Sequence, residues 1–161
     1  MAYLDFEKEA ITNLNLSLKK EYLRTNRAGS YASSTIVNCN TRKYHGLLVC
    51  PLKEHKGEKF VLLSNLHETV IQHGTEFHLG INKYPSEFHP NGHKYITKFS
   101  SDPTPTLTYK VGGVVLKKEM LLVEEEERIL IKYTLESANS PTTLKLRPFL
   151  AFRNVHELTH A

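Results

Sequence analysis

The chain contains no tryptophan, and among its 161 residues only two are cysteine and two methionine. Two thiols, Cys39 and Cys50, cannot form a disulfide framework, so free thiols in a reducing compartment are expected. No apolar run approaches the roughly 18 residues needed to cross a bilayer as a helix. The opening residues, Met1-Ala2-Tyr3-Leu4-Asp5-Phe6, lack the basic and apolar regions of a secretory signal, which makes the cytoplasm the expected location. Charge of one sign is also lacking. The 21 basic and 17 acidic side chains leave +4, interleaved except at Glu124 to Glu127. That balance, with no recurring basic-aromatic pattern, points away from nucleic acid. There is no Gly-x-Ser-x-Gly elbow and no phosphate-binding glycine loop.

What is present suits an ordinary globular domain: 40% apolar and 24% charged residues, enough at this length to bury a core without metal or disulfide. Ala10, Ile11, Leu14 and Leu18 recur at helical spacing, which predicts one helix over 5–20 with Asp5 at its start and Lys19 and Lys20 at its end. After the polar break at Asn26 to Ser30 the chain reads as β. Tyr31 to Val37, Gly46 to Pro51, Phe60 to Leu66 and Glu68 to Gln72 are strand candidates, and His73-Gly74-Thr75 reads as a hairpin turn into Glu76 to Ile81. Residues 82–94, with Pro85, Pro90 and Gly92, read as a long loop. Leu107, Tyr109 and Val111 then alternate with polar residues. Gly112-Gly113 turns the chain back into Val114 to Val123, and the same period of two recurs at Ile129 to Leu135 and at Leu144 and Leu146. Such alternation wets one face of an antiparallel strand and buries the other. The expected fold is mainly β, an antiparallel β-sandwich preceded by one N-terminal helix, within a single domain spanning 1–161.

Several residue clusters invite chemical readings. His156-Glu157-Leu158-Thr159-His160 satisfies H-E-x-x-H, in which two histidines on one helix face hold zinc and the glutamate activates water. The preceding Leu144 to Arg153 alternates like a strand and contains Pro148, so a metallohydrolase through His156, Glu157 and His160 is only a remote alternative. The pairs His89/His93 and His73/His78 flank turns without further ligands and read as exposed loop histidines. Glu124 to Glu127 reads as a solvated turn rather than the spaced carboxylate pair of glycoside hydrolysis. The densest polar segment is Asn38-Cys39-Asn40-Thr41-Arg42-Lys43-Tyr44-His45-Gly46. Asn40, Arg42 and His45 can grip sugar hydroxyls, with Tyr44 as a stacking face. The competing reading is that Arg42 and His45 satisfy backbone groups and fix the loop. Arg147 to His156 forms a second polar-aromatic cluster, with Arg153 and His156 as secondary candidates.

These clusters carry a family resemblance. Asn26-Arg-Ala-Gly-Ser-Tyr-Ala-Ser-Ser-Thr35 and Asn40-Thr-Arg-Lys-Tyr-His-Gly-Leu-Leu48 resemble the opening of bacterial and archaeal type glycogen debranching enzymes. Leu62-Leu-Ser-Asn-Leu-His-Glu68, Asn82-Lys-Tyr-Pro85, His89-Pro-Asn-Gly92 and Arg147-Pro-Phe-Leu-Ala-Phe-Arg153 follow in the family's order. The resemblance implies the N-terminal, supersandwich-like β domain of an enzyme that cleaves α-1,6 branch linkages in glycogen and related α-glucans. It implies that the catalytic carboxylates lie outside this chain, on a following (α/α) barrel, and that 1–161 is part of the complete assembly. Its implied partners are α-glucan and that barrel, without a cofactor or a membrane. Asn40, Arg42, Tyr44, His45, Arg153 and His156 then become expected contacts to glucan or to the neighbouring domain. A purely structural domain that docks on the barrel without touching glucan is the alternative. Tyr22 and Leu107 stand where the family often has tryptophan, which bears on how an aromatic sugar surface would be built.

Overall fold

A computed structural model describes residues 4–158. In chain order the strands and helices are Asp5–Glu7 (β1), Lys8–Thr12 (α1), Leu14–Ser17 (α2), Glu21–Thr25 (β2), Tyr31–Thr35 (β3), Gly46–Pro51 (β4), Lys59–Gln72 (β5), Thr75–His78 (β6), Asn82–Lys83 (β7), Phe88–His89 (β8), Ile96–Ser100 (β9), Thr106–Val111 (β10), Val114–Leu122 (β11), Ile129–Ala138 (β12) and Thr143–Asn154 (β13). The main strands form two antiparallel sheets. One runs β1-β9-β10-β11-β12, and the other β13-β5-β4-β3-β2 with β6 also on β5. Strands β7 and β8 make a separate small hairpin. No described helix is long and apolar enough to cross a membrane.

The two sheets close on one core. Tyr22, Leu47 and Val70 come from the larger sheet, and Ile96, Phe99, Leu107, Tyr109, Leu116 and Met120 from the other. This is the β-sandwich that the alternating pattern implies. Leu107, Tyr109 and Val111 are all buried, as are Val114 and Leu116 opposite the last two, and Met120 and Leu122 further along β11. Gly112 and Gly113 both have positive φ, at 55° and 79°, the conformation a two-residue hairpin turn needs and a side chain resists. Tyr22 and Leu107 are core residues, Tyr22 stacking on Phe99 at 5.8 Å between centroids. Tryptophan at these positions would serve packing and not a sugar-facing surface.

The N-terminal helix differs from its expected form. Asp5–Glu7 is a strand on the edge of β9, pairing Phe6 with Phe99. The helical part is two short pieces broken at Asn13, whose side chain accepts a hydrogen bond from Asn15 N at 3.1 Å and so caps α2. The helical spacing still marks the correct apolar face, since Ile11 is buried and Leu14 and Leu18 pack on the core. Strands β2, β7, β8 and β9 are additions to the predicted set, β7 and β8 forming a hairpin within the expected loop 82–94, and the two candidates either side of His67 are one strand, β5.

A buried charge pair crosses the sandwich. Lys118 on β11 and Glu68 on β5 are 1% and 2% exposed, and Lys118 Nζ lies 2.5 Å from Glu68 Oε1. Lys118 also donates to Leu66 O at 3.0 Å, and the Tyr133 hydroxyl donates to the same Glu68 oxygen at 2.6 Å. Burial, with Glu68 beside it, drives the Tyr133 phenol far above its ordinary range.

Candidate functional site

The segment between β3 and β4 is built before it is decorated. Asn38 takes a left-handed backbone, φ 55°, a conformation asparagine tolerates better than most residues. Its side-chain oxygen accepts from the Tyr22 hydroxyl at 2.8 Å, and its carbonyl accepts from Asn65 Nδ2 at 2.7 Å. Thr35 Oγ1 accepts from Cys39 N at 3.0 Å and donates to Cys39 O at 2.9 Å, closing the turn. Asn40 then fastens the loop to β5, donating to Ser64 O at 2.8 Å and accepting from Ser34 Oγ at 2.7 Å. These bonds occupy Asn40 in positioning the segment.

His45 closes the other end. It is 2% exposed, and its Nδ1 accepts from the backbone N–H groups of Thr41 at 3.0 Å and Arg42 at 3.3 Å. An Nδ1 that accepts two N–H groups is unprotonated, so the ring proton sits on Nε2. Nε2 lies 3.3 Å from Glu21 Oε1. Burial holds the imidazole below its ordinary pKa, with Glu21 pulling it up and Arg42 pushing it down. Arg42 itself pairs with Glu21 at 2.8 Å across the rim.

Tyr44 is the exposed centre of the patch, 43% open to solvent. The Tyr31 hydroxyl donates to its carbonyl at 2.8 Å, and Lys43 Nζ lies 5.1 Å from the centre of its ring. The Tyr44 hydroxyl is 3.3 Å from His156 Nδ1, with the two rings edge to face at 5.7 Å. Arg153 on β13 braces the same loop from below, donating to Lys43 O at 2.7 Å and to Glu157 O at 2.9 Å. The loop 40–45 and the end of β13, far apart in sequence, thus form one assembly.

Two shallow grooves flank this assembly. One, of about 450 Å³, has Glu21, Leu23, Arg42, Tyr44 and His45 among its walls; the other, of about 440 Å³, has Glu58, Val155 and His156. Tyr31, Tyr44 and Lys59 line both and form the ridge between them. Of the residues expected here, Arg42, Tyr44, His45 and His156 line a groove, while Asn40 and Arg153 act through the loop they hold. Tyr31, Lys59 and Glu21 also line these grooves and are not among the residues expected from the sequence. The signal for Tyr31 was its place at the outward-facing start of a predicted strand.

Other expectations resolve differently. His156 and Glu157 follow β13 in a turn, not on a helix, and His160 lies outside the described residues. The described residues hold no cluster of three or more groups suited to a metal ion. His73, His78 and His89 are exposed, but His93 is buried, because the 3-10 turn Gly92–Tyr95 tucks it inward. Glu124 to Glu127 is a turn as expected, and Arg27 partly neutralises it, lying 3.3 Å from Glu124 and 3.4 Å from Glu125. Cys39 and Cys50 are both buried and free, and burial pushes the Cys39 thiol up to about 11.

A family model described as "Glycogen debranching enzyme N terminal" matches residues 20–161. Searches of curated proteins and of solved structures return no match.

Proposed function

Since the chain belongs to the glycogen debranching enzyme N-terminal family, we propose that it is the carbohydrate-associated sandwich of such an enzyme, contacting α-glucan through the grooves on either side of Tyr44. The carrying observation is the shared ridge: Tyr31 and Tyr44 present aromatic surface between two open grooves, with Arg42, Lys59 and His156 along the rims. Glucose rings offer apolar faces that stack on tyrosine and hydroxyls that bond to such cations and imidazoles. In this reading the cleavage of α-1,6 linkages is performed by carboxylates outside this chain, on a barrel domain, and the protein works in the cytoplasm. The two carboxylates at the grooves are engaged otherwise, Glu21 with Arg42 and Glu58 with Asn154.

Calorimetric titration with a maltooligosaccharide tests the reading. Saturable heat is expected, lost in Tyr44→Ala and weakened in Arg42→Ala. No heat from the folded wild-type chain would remove glucan binding.

One set of residues favours a second reading, in which this surface docks on a catalytic partner without touching glucan. Leu150 and Phe152 on β13 are 78% and 67% exposed, and Phe152 continues the aromatic run of Phe60 and His55 at 5.1 and 5.8 Å. Protection of β13 amides on mixing with a following barrel domain, without any response to oligosaccharide, would select this reading.

A further inference from the structure

A second polar cleft lies elsewhere on the outward face of the larger sheet. Three adjacent strands build its floor in register. Arg147 on β13 stands opposite His67 on β5, and Lys145 stands opposite Thr69, which in turn pairs with His78 on β6. Leu144 and Leu146 alternate with these cations and pair with Val70 and Glu68, both buried, so Lys145 and Arg147 share the outward face. The β7–β8 hairpin supplies the wall, with Asn82, Tyr84 and His89, and encloses about 300 Å³.

The wall is held by two close backbone approaches. Gly92 N donates to Gly80 O at 3.0 Å, and a Cβ on Gly92 would sit 2.0 Å from Leu79 O. A Cβ on Gly80 would sit 2.4 Å from His67 Nδ1. Glycine at both positions lets the hairpin close against the imidazole. His67 also packs on Phe149 at 4.5 Å between centroids, and the Arg147 guanidinium lies 5.3 Å from that ring's centre. His67 Nε2 is buried without a hydrogen-bond partner.

The charge at this cleft is one-sided. Its one lining carboxylate, Glu68, is taken by Lys118 and Tyr133 on the core side. Glu76, beyond the lining, is 3.9 Å from His78. That leaves Arg147, Lys145 and three imidazoles facing the space, with the half-exposed Tyr84 ring at its margin. Neutral sugars are commonly held by carboxylate acceptors, which this cleft lacks, whereas a guanidinium, an ammonium and imidazole N–H donors match oxyanion acceptors.

We propose that this cleft binds a phosphate monoester, with Arg147 and Lys145 on the phosphoryl oxygens and Tyr84 against the group that carries it. This goes beyond glucan contact at Tyr44 and uses none of the same residues.

The test is a heteronuclear NMR titration of the full chain with inorganic phosphate, a hexose monophosphate and, as the neutral control, glucose. Saturable shifts of the His67, His78 and His89 imidazoles with both phosphates are expected, tighter for the hexose monophosphate and absent with glucose. Arg147→Gln is expected to weaken binding about tenfold, the usual order for one charge-assisted hydrogen bond. Lys110→Gln, at an exposed position of β10 in the other sheet, should leave it unchanged. If Arg147→Gln does not fold, Lys145→Gln carries the same comparison. Equal response to glucose, no saturable shift with either phosphate, or shifts spread over all surface lysines would overturn the proposal.

Discussion

His67 is held neutral at physiological pH by its place on β5. Burial takes its imidazole from the ordinary 6.5 down to about 4, with Lys118 and Arg147 pushing the same way and Glu68 opposing. Burial also lowers His45 and His93. On unfolding, each ring recovers its usual proton affinity. Between about pH 6.5 and pH 4 the unfolded chain therefore binds more protons, and stability rises with pH across that window. The contribution is full above 6.5 and is lost as pH falls through 4. For His67 it amounts to about 2–3 kcal/mol at one unit per 1.4 kcal/mol, allowing for partial solvent access. Urea midpoints should fall steadily from pH 7 to pH 4, and His67→Gln should flatten part of that fall; a wild-type midpoint indifferent to pH would refute the assignment. Gly80→Ala should cost about 1–3 kcal/mol, because its Cβ meets the His67 ring and the hairpin must shift. Of these residues, the sequence alone made the loop 38–46 legible, through its density of polar and aromatic groups. Arg147 opened the second such cluster without its place in a cleft being readable, and His67 and Gly80 carried no such signal, since the meaning of all three comes from strand register and a close backbone pass.

Between the sheets, the strand elements are joined by a charge pair as well as by apolar packing. Lys118 occupies an inward position of β11, between Leu116 and Met120, and meets Glu68 at an inward position of β5. Removing one partner strands the other charge in the core, so Lys118→Met or Glu68→Leu alone should cost about 3–5 kcal/mol, while the double variant should recover most of the loss. Denaturant unfolding of all four chains checks this as a double-mutant cycle, and additive losses would contradict it. Strands β10 and β11 were legible because each buries a regular face, whereas β12 and β13 cover theirs only in part, leaving Leu135 and Leu146 about half exposed. Strand β9 was not legible, because Ile96 and Phe99 lie three apart and the register against β10 shifts at Thr108/Tyr109. Strand β2 was obscured because its outward Leu23 is apolar and exposed while Tyr22 points inward. The helix over 5–20 was only half legible: spacing marks the buried face, but the pairing of Asp5–Glu7 with β9 is a long-range contact that local pattern does not encode.

Across the whole molecule, the outward face of the larger sheet carries both the Tyr44 grooves and the His67 cleft. Along one side, β12 and β13 are each the last strand of their sheet. Between them a gap of about 140 Å³ opens onto Val70, Leu116, Tyr133 and Leu144, with Leu135 half-exposed at its lip. Unpaired edges with apolar lips promote pairing with another chain. Sedimentation velocity should therefore show concentration-dependent association that Leu135→Lys weakens, and a strictly monomeric wild-type chain would contradict that expectation. The sandwich itself was readable from period-two patterning, whereas the coming together of residues 40–45 with 153–156 was not, because more than a hundred residues separate them. In the proposed function this chain meets glucan and leaves bond cleavage to carboxylates elsewhere. Incubating the purified chain with limit dextrin and assaying glucose tests that most directly. No release above the blank is predicted, and release that scales with protein concentration and survives further purification would contradict it.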